Sequence, residues 1–214
     1  MAVSEREYIE AINARREFFK SIAAVAARLH DVAANQRYGG KLPYSFHLRR
    51  VAELTMRYAG EVLASIDDID ALYFGACFHD SIEDARQTYN DVQKIALRFL
   101  DAEHALMATE IVYALTNEKG RTRAERACER YYEGIRTTPY APIVKLADRL
   151  ANFTYSMGHD TDNGYEAHMV EVYRREMPHF LEAIAGDSAS DARLGLPSAM
   201  LERITALVKD ATID

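Results

Sequence analysis

The sequence predicts an all-α fold, a single bundle of helices. Three observations predict it. Long segments rich in Ala, Leu, Glu and Arg carry apolar residues at spacings of three and four, the repeat of a helix with one buried face. Strict apolar–polar alternation, the mark of a half-buried strand, is scarce. Turn-forming residues gather in short clusters between the periodic segments. With 214 residues, 49% of them hydrophobic, the chain can bury an ordinary core and fits one domain over 1–214.

The first helix is expected to start with Ser4 as N-cap and Glu7 as its capping-box partner. Ile22, Val25, Ala26, Leu29 and Ala33 then form one apolar stripe, and the helix should stop at Gly39-Gly40. The loop KLPYS leads into a second helix from about Phe46 to Leu63, and Asp67 or Asp68 caps a third from about Ile69 to Glu83. Further helices are expected near 91–116, 122–136, 140–157, 162–185 and 197–210. Thr116 to Gly120, Thr137 to Pro139 and Gly186 to Pro197 supply the turns between them. The last helix, LERITALVKD, is amphipathic and suits either the core or a neighbouring subunit, so the chain is expected to act as a monomer or homodimer.

Composition excludes several classes of function. No stretch approaches the roughly 20 apolar residues needed to span a bilayer, and the N-terminus lacks the apolar core of a secretory signal, so the expectation is a cytoplasmic protein without membrane contact. Cys77 and Cys128 fit no metal or redox spacing and are expected to be reduced and structural. A formal charge of −7 repels long nucleic acids but leaves a small phosphate ester as a partner, because a metal and a few local cations suffice to hold one.

The third helix carries the most chemical information. IDALYFGACF is apolar almost all round, hence buried, yet it runs straight into His79-Asp80 with no Lys or Arg in the ten residues before them. A carboxylate removed from water needs a cation or several donors, and a metal ion would supply the compensation. On a continuing helix His79 stacks over Glu83 and Asp80 over Asp84, crowding like charges. That calls again for a cation, or for a carboxylate whose raised pKa suits it to proton transfer; the plain alternative is a polar end on a buried helix. In APIVKLADRLANF, Asp148 interrupts an apolar face and Asn152 follows one turn later; an ion pair with Arg149 or Lys145 is the plain alternative there. His47 lies just past PYSF, where it can face the interior as a ligand or as a structural histidine. Together His47, His79, Asp80 and Asp148 make a two-histidine, two-carboxylate set suited to a divalent metal such as Mn²⁺, Fe²⁺ or Zn²⁺.

A histidine, a His-Asp pair and a distant Asp form the pattern of the HD superfamily of metal-dependent phosphohydrolases. The stretches NQRYGGKLPYSFHLRRVAEL, ACFHDSIEDARQTYNDV and IVKLADRLANF resemble, more narrowly, the (p)ppGpp hydrolase domain of RelA/SpoT homologues and their stand-alone small alarmone hydrolases. The resemblance covers about residues 20–185 and implies a single HD-domain helical bundle followed by a C-terminal helix, with no room for an alarmone synthetase domain. It implies hydrolysis of the 3′-pyrophosphate of ppGpp or pppGpp, usually with Mn²⁺. The metal ligands would be His47, His79, Asp80 and Asp148, with Glu83 and Asp84 as the catalytic carboxylates. Arg37 and Asn152 match nucleotide contacts of the family. Tyr38, Leu48, Ala151 and Thr154 depart from it, standing where lysine, proline, histidine and arginine are common. These departures surround the nucleotide pocket and keep open an adenosine alarmone such as ppApp, the 2′-phosphate of NADPH, a nucleotide monophosphate, or a binding role without catalysis. Lys119, Arg121, Arg123, Arg126 and Arg130 can gather phosphates or simply solvate a helix face, and His30, His104, His159, His168 and His179 follow no ligand spacing.

Overall fold

A computed structural model describes residues 3–117, 119–158 and 166–211, and they form an all-α bundle. The helices are α1 (Glu5–Ala14), α2 (Arg16–Ala27), α3 (Ser45–Tyr58), α4 (Ile69–Phe78), α5 (Ser81–Asp84), α6 (Tyr89–Ala96), α7 (Ala102–Leu115), α8 (Arg123–Arg126), α9 (Glu129–Thr137), α10 (Ala141–Ser156), α11 (Ala167–Ile184) and α12 (Ser198–Asp210). A two-stranded ribbon, β1 (Arg37–Tyr38) against β2 (Leu42–Pro43), pairs Arg37 with Pro43 and Tyr38 with Leu42. Among the described residues no helix is long and apolar enough to cross a membrane.

The all-apolar segment foreseen in the sequence is α4, and it runs through the middle of the core. It packs against α7, α3 and α2, while α10 packs against α3 and α11. Contact between α4 and α7 is close at Gly75, where an added Cβ would stand 2.7 Å from Ile111 Cγ2. At the far end, α12 buries Met200, Ile204 and Leu207 and meets α10, so this helix covers the core of its own chain. Cys77 is buried, and both cysteines are free thiols.

Several expected helices are broken, each for a local reason. The Ser4–Glu7 capping box is present, but the first helix does not run on to Gly39. It breaks at Arg15, whose side chain binds Asp70 at 2.8 Å on the start of α4. After α2 the chain widens into a π-helical turn, Arg28–Ala33, and leaves the helix at Asn35, which adopts a left-handed φ of 50° that asparagine tolerates. Gly39 and Gly40 (φ 55° and 72°) then turn the ribbon, and Gly39 lies so close to Tyr155 that a Cβ there would stand 2.0 Å from the phenol oxygen.

The expected 91–116 helix divides at Leu97–Asp101, where Asp101 caps α7, and a Thr88–Asp91 capping box starts α6 two residues early. The 122–136 segment divides at Ala127 and Cys128. Asp68, one of the two expected caps, occupies the N-cap position of α4 but makes no side-chain cap, because its carboxylate instead accepts from the Tyr140 hydroxyl; Ser65 caps the turn before it. Residues 162–165, where the 162–185 helix was expected to begin, and His159 lie outside the described residues.

The break that matters most comes after Phe78. α4 ends there, and Asp80 (φ −97°, ψ 4°) turns the chain before the single turn of α5. His79 therefore does not stack over Glu83 on a continuing helix.

Candidate metal centre

Four polar side chains from three separate segments meet at the end of α4. His47 enters from the first turn of α3, which is anchored by the Ser45 N–H donating to Asp31 Oδ1 in the π-helical turn (3.0 Å). His79 and Asp80 come from the break after α4, and Asp148 from the middle of α10. His47 Nε2 lies 3.6 Å from Asp80 Oδ2 and 3.3 Å from Asp148 Oδ1. His79 Nε2 lies 3.0 Å from Asp80 Oδ2 and 3.9 Å from Asp148 Oδ1. Ligand atoms of His47, His79 and Asp80 fall within 4.8 Å of one another.

The tautomer of His79 follows from its neighbours. Its Nδ1 is 2.9 Å from the Ala76 carbonyl, which can only accept, so Nδ1 carries the proton and Nε2 presents a lone pair. That Nε2 is buried and makes no hydrogen bond, since the Asp80 Oδ2 that stands 3.0 Å away is itself an acceptor, and the imidazole is 2% exposed. A buried acceptor left without a donor is costly unless something fills the gap. Nδ1–H bonded to a carbonyl with Nε2 free is the arrangement of a metal-ligating histidine. Two imidazole nitrogens with two carboxylates suit a divalent cation of borderline to hard character, so the residues fit the group.

The charges point the same way. Burial opposes ionisation of Asp80, but His79 and His47 beside it hold the carboxyl well below its usual range. Asp148 is likewise lowered against its burial, by Lys145, His47 and His79. Burial pulls His47 down, yet its hydrogen bonds to Asp148 and Asp80 push the imidazole up to about 9. Two carboxylates in a dry place thus recruit a proton onto His47 where a cation would otherwise sit.

Further side chains hold these four in place. Asp148 accepts from Lys145 Nζ on Oδ2 (3.0 Å) and from Asn152 Nδ2 on Oδ1 (2.6 Å). The Asn152 amide oxygen accepts from the Tyr38 hydroxyl (2.9 Å), and the Tyr38 ring stacks on His47 with centroids 4.8 Å apart. The Tyr44 hydroxyl bridges Asp80 Oδ2 (2.6 Å) and Asp84 Oδ2 (3.0 Å). Burial and the two carboxylates raise the Tyr44 pKa, so it remains a donor.

The centre opens into a cleft of about 690 Å³. Glu83 and Asp84 both line it. Asp84 stays beside Asp80 through Tyr44, whereas Glu83 is held by the Asn117 side chain (2.8 Å to each oxygen). Five cationic side chains, Arg123, Arg126, Lys145, Arg149 and Arg175, also line the cleft. Arg123 and Arg149 are both tied to Glu176 (3.0 and 3.1 Å), and the Arg149 guanidinium lies 4.1 Å over the Phe180 ring.

The expected residues are not all brought together. His47, His79, Asp80, Asp148, Glu83, Asp84 and Asn152 share the cleft. Arg37 is exposed on β1 and is not part of the lining. Asn152 lines the cleft with both ends of its amide engaged inside the protein, as an acceptor for Tyr38 and a donor to Asp148. His168 and His179, which follow no ligand spacing, lie on the rim, as do Arg123 and Arg126 from the basic stretch. Tyr44, Gln36 and Asn117 escaped the sequence reading. For Tyr44 the signal was present, three residues before His47 at the start of the same helix; Gln36 and Asn117 gave none, because they reach Asp84 and Glu83 from irregular segments.

Comparison with known proteins adds a family. The HD domain family matches residues 44–152, a stretch that begins at Tyr44 and contains all four ligand candidates. Three curated relatives carry the description guanosine-3′,5′-bis(diphosphate) 3′-pyrophosphohydrolase MESH1. The Homo sapiens protein is 30% identical over 151 residues, 71% of this chain and 75% of that protein. The Mus musculus protein is 30% identical over 131 residues, 61% and 65% of the two chains. The Danio rerio protein is 25% identical over 148 residues, 69% and 74%.

Proposed function

This chain belongs to the HD-domain family, a family of metal-dependent hydrolases, and from that premise we propose that it removes the 3′-pyrophosphate of a guanosine or adenosine alarmone, (p)ppGpp or (p)ppApp. The observation that carries this reading is the buried Nε2 of His79, which faces Asp80 Oδ2 without a hydrogen bond beside His47 and Asp148, in a cleft also lined by cationic side chains. Nucleotide hydrolysis by the relatives supports the choice of substrate class.

His47, His79, Asp80 and Asp148 would hold the metal, with Mn²⁺ the expected ion and Fe²⁺ or Zn²⁺ compatible with the same donors. A divalent cation so held polarises a phosphoryl oxygen and makes a nearby water more acidic. The rest is the work of the chain. Water attacks the phosphorus attached to the ribose 3′-oxygen; the bond from that phosphorus to the 3′-oxygen breaks, and pyrophosphate departs. One proton from the attacking water passes to a carboxylate, and the 3′-oxygen gains a proton to leave a nucleoside 5′-diphosphate or 5′-triphosphate. Asp84 would take the proton, a role supported by its contact with Tyr44, which also reaches Asp80, and by its position in the cleft lining. Glu83, pinned by Asn117, fits the orientation of the water or the phosphate chain from the cleft edge. Arg126 and Arg175 offer donors to the phosphates that do not react.

The test is nucleotide chromatography of chelator-treated protein incubated separately with ppGpp, ppApp and NADPH, with and without Mn²⁺, beside Asp84→Asn. Mn²⁺-dependent release of pyrophosphate from an alarmone, lost in the variant, is the expected result and names the base. Phosphate release from NADPH alone moves the assignment to a 2′-phosphatase, and no turnover of any of the three overturns the alarmone reading.

A further inference from the structure

His30 is fully buried, at 0% exposure, and no step of the reaction above uses it. It sits in the π-helical turn Arg28–Ala33, an irregularity that often accompanies functional sites. Its ring lies parallel to that of Tyr44, with centroids 5.0 Å apart and planes 8° from parallel. Its Nδ1 is 2.7 Å from Gln36 Oε1, and its Nε2 is 3.4 Å from Ser81 Oγ. Gln36 Nε2 in turn donates to Asp84 Oδ2 at 2.8 Å.

The direction of every bond in this chain can be deduced. An ionised carboxylate only accepts, so the Gln36 amide must turn its NH₂ toward Asp84 and its oxygen toward His30. His30 must then carry its proton on Nδ1, and its Nε2 must accept from the Ser81 hydroxyl. Burial holds the His30 imidazole below its usual pKa, in keeping with a neutral ring that has one donor and one acceptor. If the ring took the other tautomer, two acceptors would face each other at 2.7 Å and the amide would be free to flip.

We propose that His30 and Gln36 are positioning residues: the directed chain Ser81 to His30 to Gln36 fixes which way the Asp84 carboxylate faces, while His30 also supports the ring of Tyr44, the second donor to the same oxygen. Both donors bind Asp84 Oδ2, so the other oxygen is not needed for that support and can serve the reacting water. Asp84 is the last, exposed residue of the single turn α5, whose first residue, Ser81, is fully buried, so the side chain itself is fixed by its hydrogen bonds rather than by burial. The buried imidazole steadies one of those bonds. This inference rests on the reading of Asp84 as the proton acceptor.

The experiment uses the full-length, Mn²⁺-loaded protein and compares Gln36→Met, His30→Phe, His30→Asn and the Gln36→Met/His30→Phe double variant, with Asp84→Asn alongside. Gln36→Met keeps the length of the side chain and removes both hydrogen bonds. The expected result is a fall in kcat of about tenfold or more, with KM, Mn²⁺ affinity and Tm nearly unchanged. His30→Phe should show the same fall, the double variant no further loss, and His30→Asn, whose amide replaces the Nδ1–H donor, most of the wild-type rate. A Gln36→Met rate within twofold of wild type overturns the proposal, as does a loss that tracks Mn²⁺ affinity or multiplies in the double variant. If His30→Phe does not fold, Gln36→Met decides alone. An Asp84→Asn protein of undiminished activity instead overturns the underlying assignment of the base.

Discussion

At the scale of single residues, the centre balances two carboxylates against whatever positive charge is present. In the metal-free protein that charge is Lys145, bonded to Asp148, together with a proton on His47, whose pKa is pushed from its ordinary 6.5 to about 9. A folded pKa above the unfolded one means that His47 stabilises the metal-free fold fully below pH 6.5 and loses that contribution as the pH rises through about 9. Asp80 and Asp148 are shifted the opposite way, so their contribution is present above their ordinary 3.8 and is lost as the pH falls through their lowered values. Tm of the metal-free protein should therefore decline between pH 6.5 and 9, and saturating Mn²⁺ should flatten that decline. Calorimetry at pH 7 in buffers of different ionisation enthalpy should show release of about one proton per Mn²⁺ bound. No proton release would mean that His47 is already neutral. Tyr38 reaches the same centre through Asn152, so Tyr38→Phe should weaken Mn²⁺ binding by about tenfold, the low end of the effect of losing an outer-shell partner; an unchanged dissociation constant would show that Asn152 holds Asp148 unaided.

At the scale of elements, much of the candidate site was legible because its candidate ligands interrupt apolar runs. IDALYFGACF ends in His79-Asp80, and Asp148 breaks the buried face of α10; in both cases a charge among core residues marks a place where something compensates it. Helix existence was legible for the same reason, since amphipathic spacing survives in a single sequence. The breaks were not. Arg15 ends α1 because it reaches Asp70, 55 residues away, and Asp80 ends α4 at the meeting of three segments; such causes are long-range. The break at Asp80 was also what defeated the expected stacking of His79 over Glu83. Arg37, matched by motif, is exposed on β1 and is not among the residues that line the cleft.

Positions on α4 that approach α7 should tolerate no added volume. Gly75→Ala should cost about 1–3 kcal/mol, a fall of several degrees in Tm by scanning calorimetry. An unchanged Tm would show that Ile111 can move aside.

Across the whole molecule, a net charge of −7 coexists with a cleft lined by five cationic side chains, so local cations can hold phosphate groups on a molecule that repels polyanions as a whole. Arg126→Ala should raise KM for the alarmone by about tenfold, leave Mn²⁺ affinity intact and reduce the salt dependence of kcat/KM. Removing Arg6, which faces solvent in an i,i+4 pair with Glu10, should change none of these. A KM unmoved in Arg126→Ala would place the phosphates elsewhere. The central claim is that His47, His79, Asp80 and Asp148 together hold one divalent cation, and anomalous diffraction from crystals soaked in Mn²⁺ tests it most directly. One strong peak is expected among His47 Nε2, His79 Nε2 and the carboxylates of Asp80 and Asp148, at metal-bonding distance from each and absent in Asp80→Ala. A peak elsewhere, or none at this centre, would contradict it.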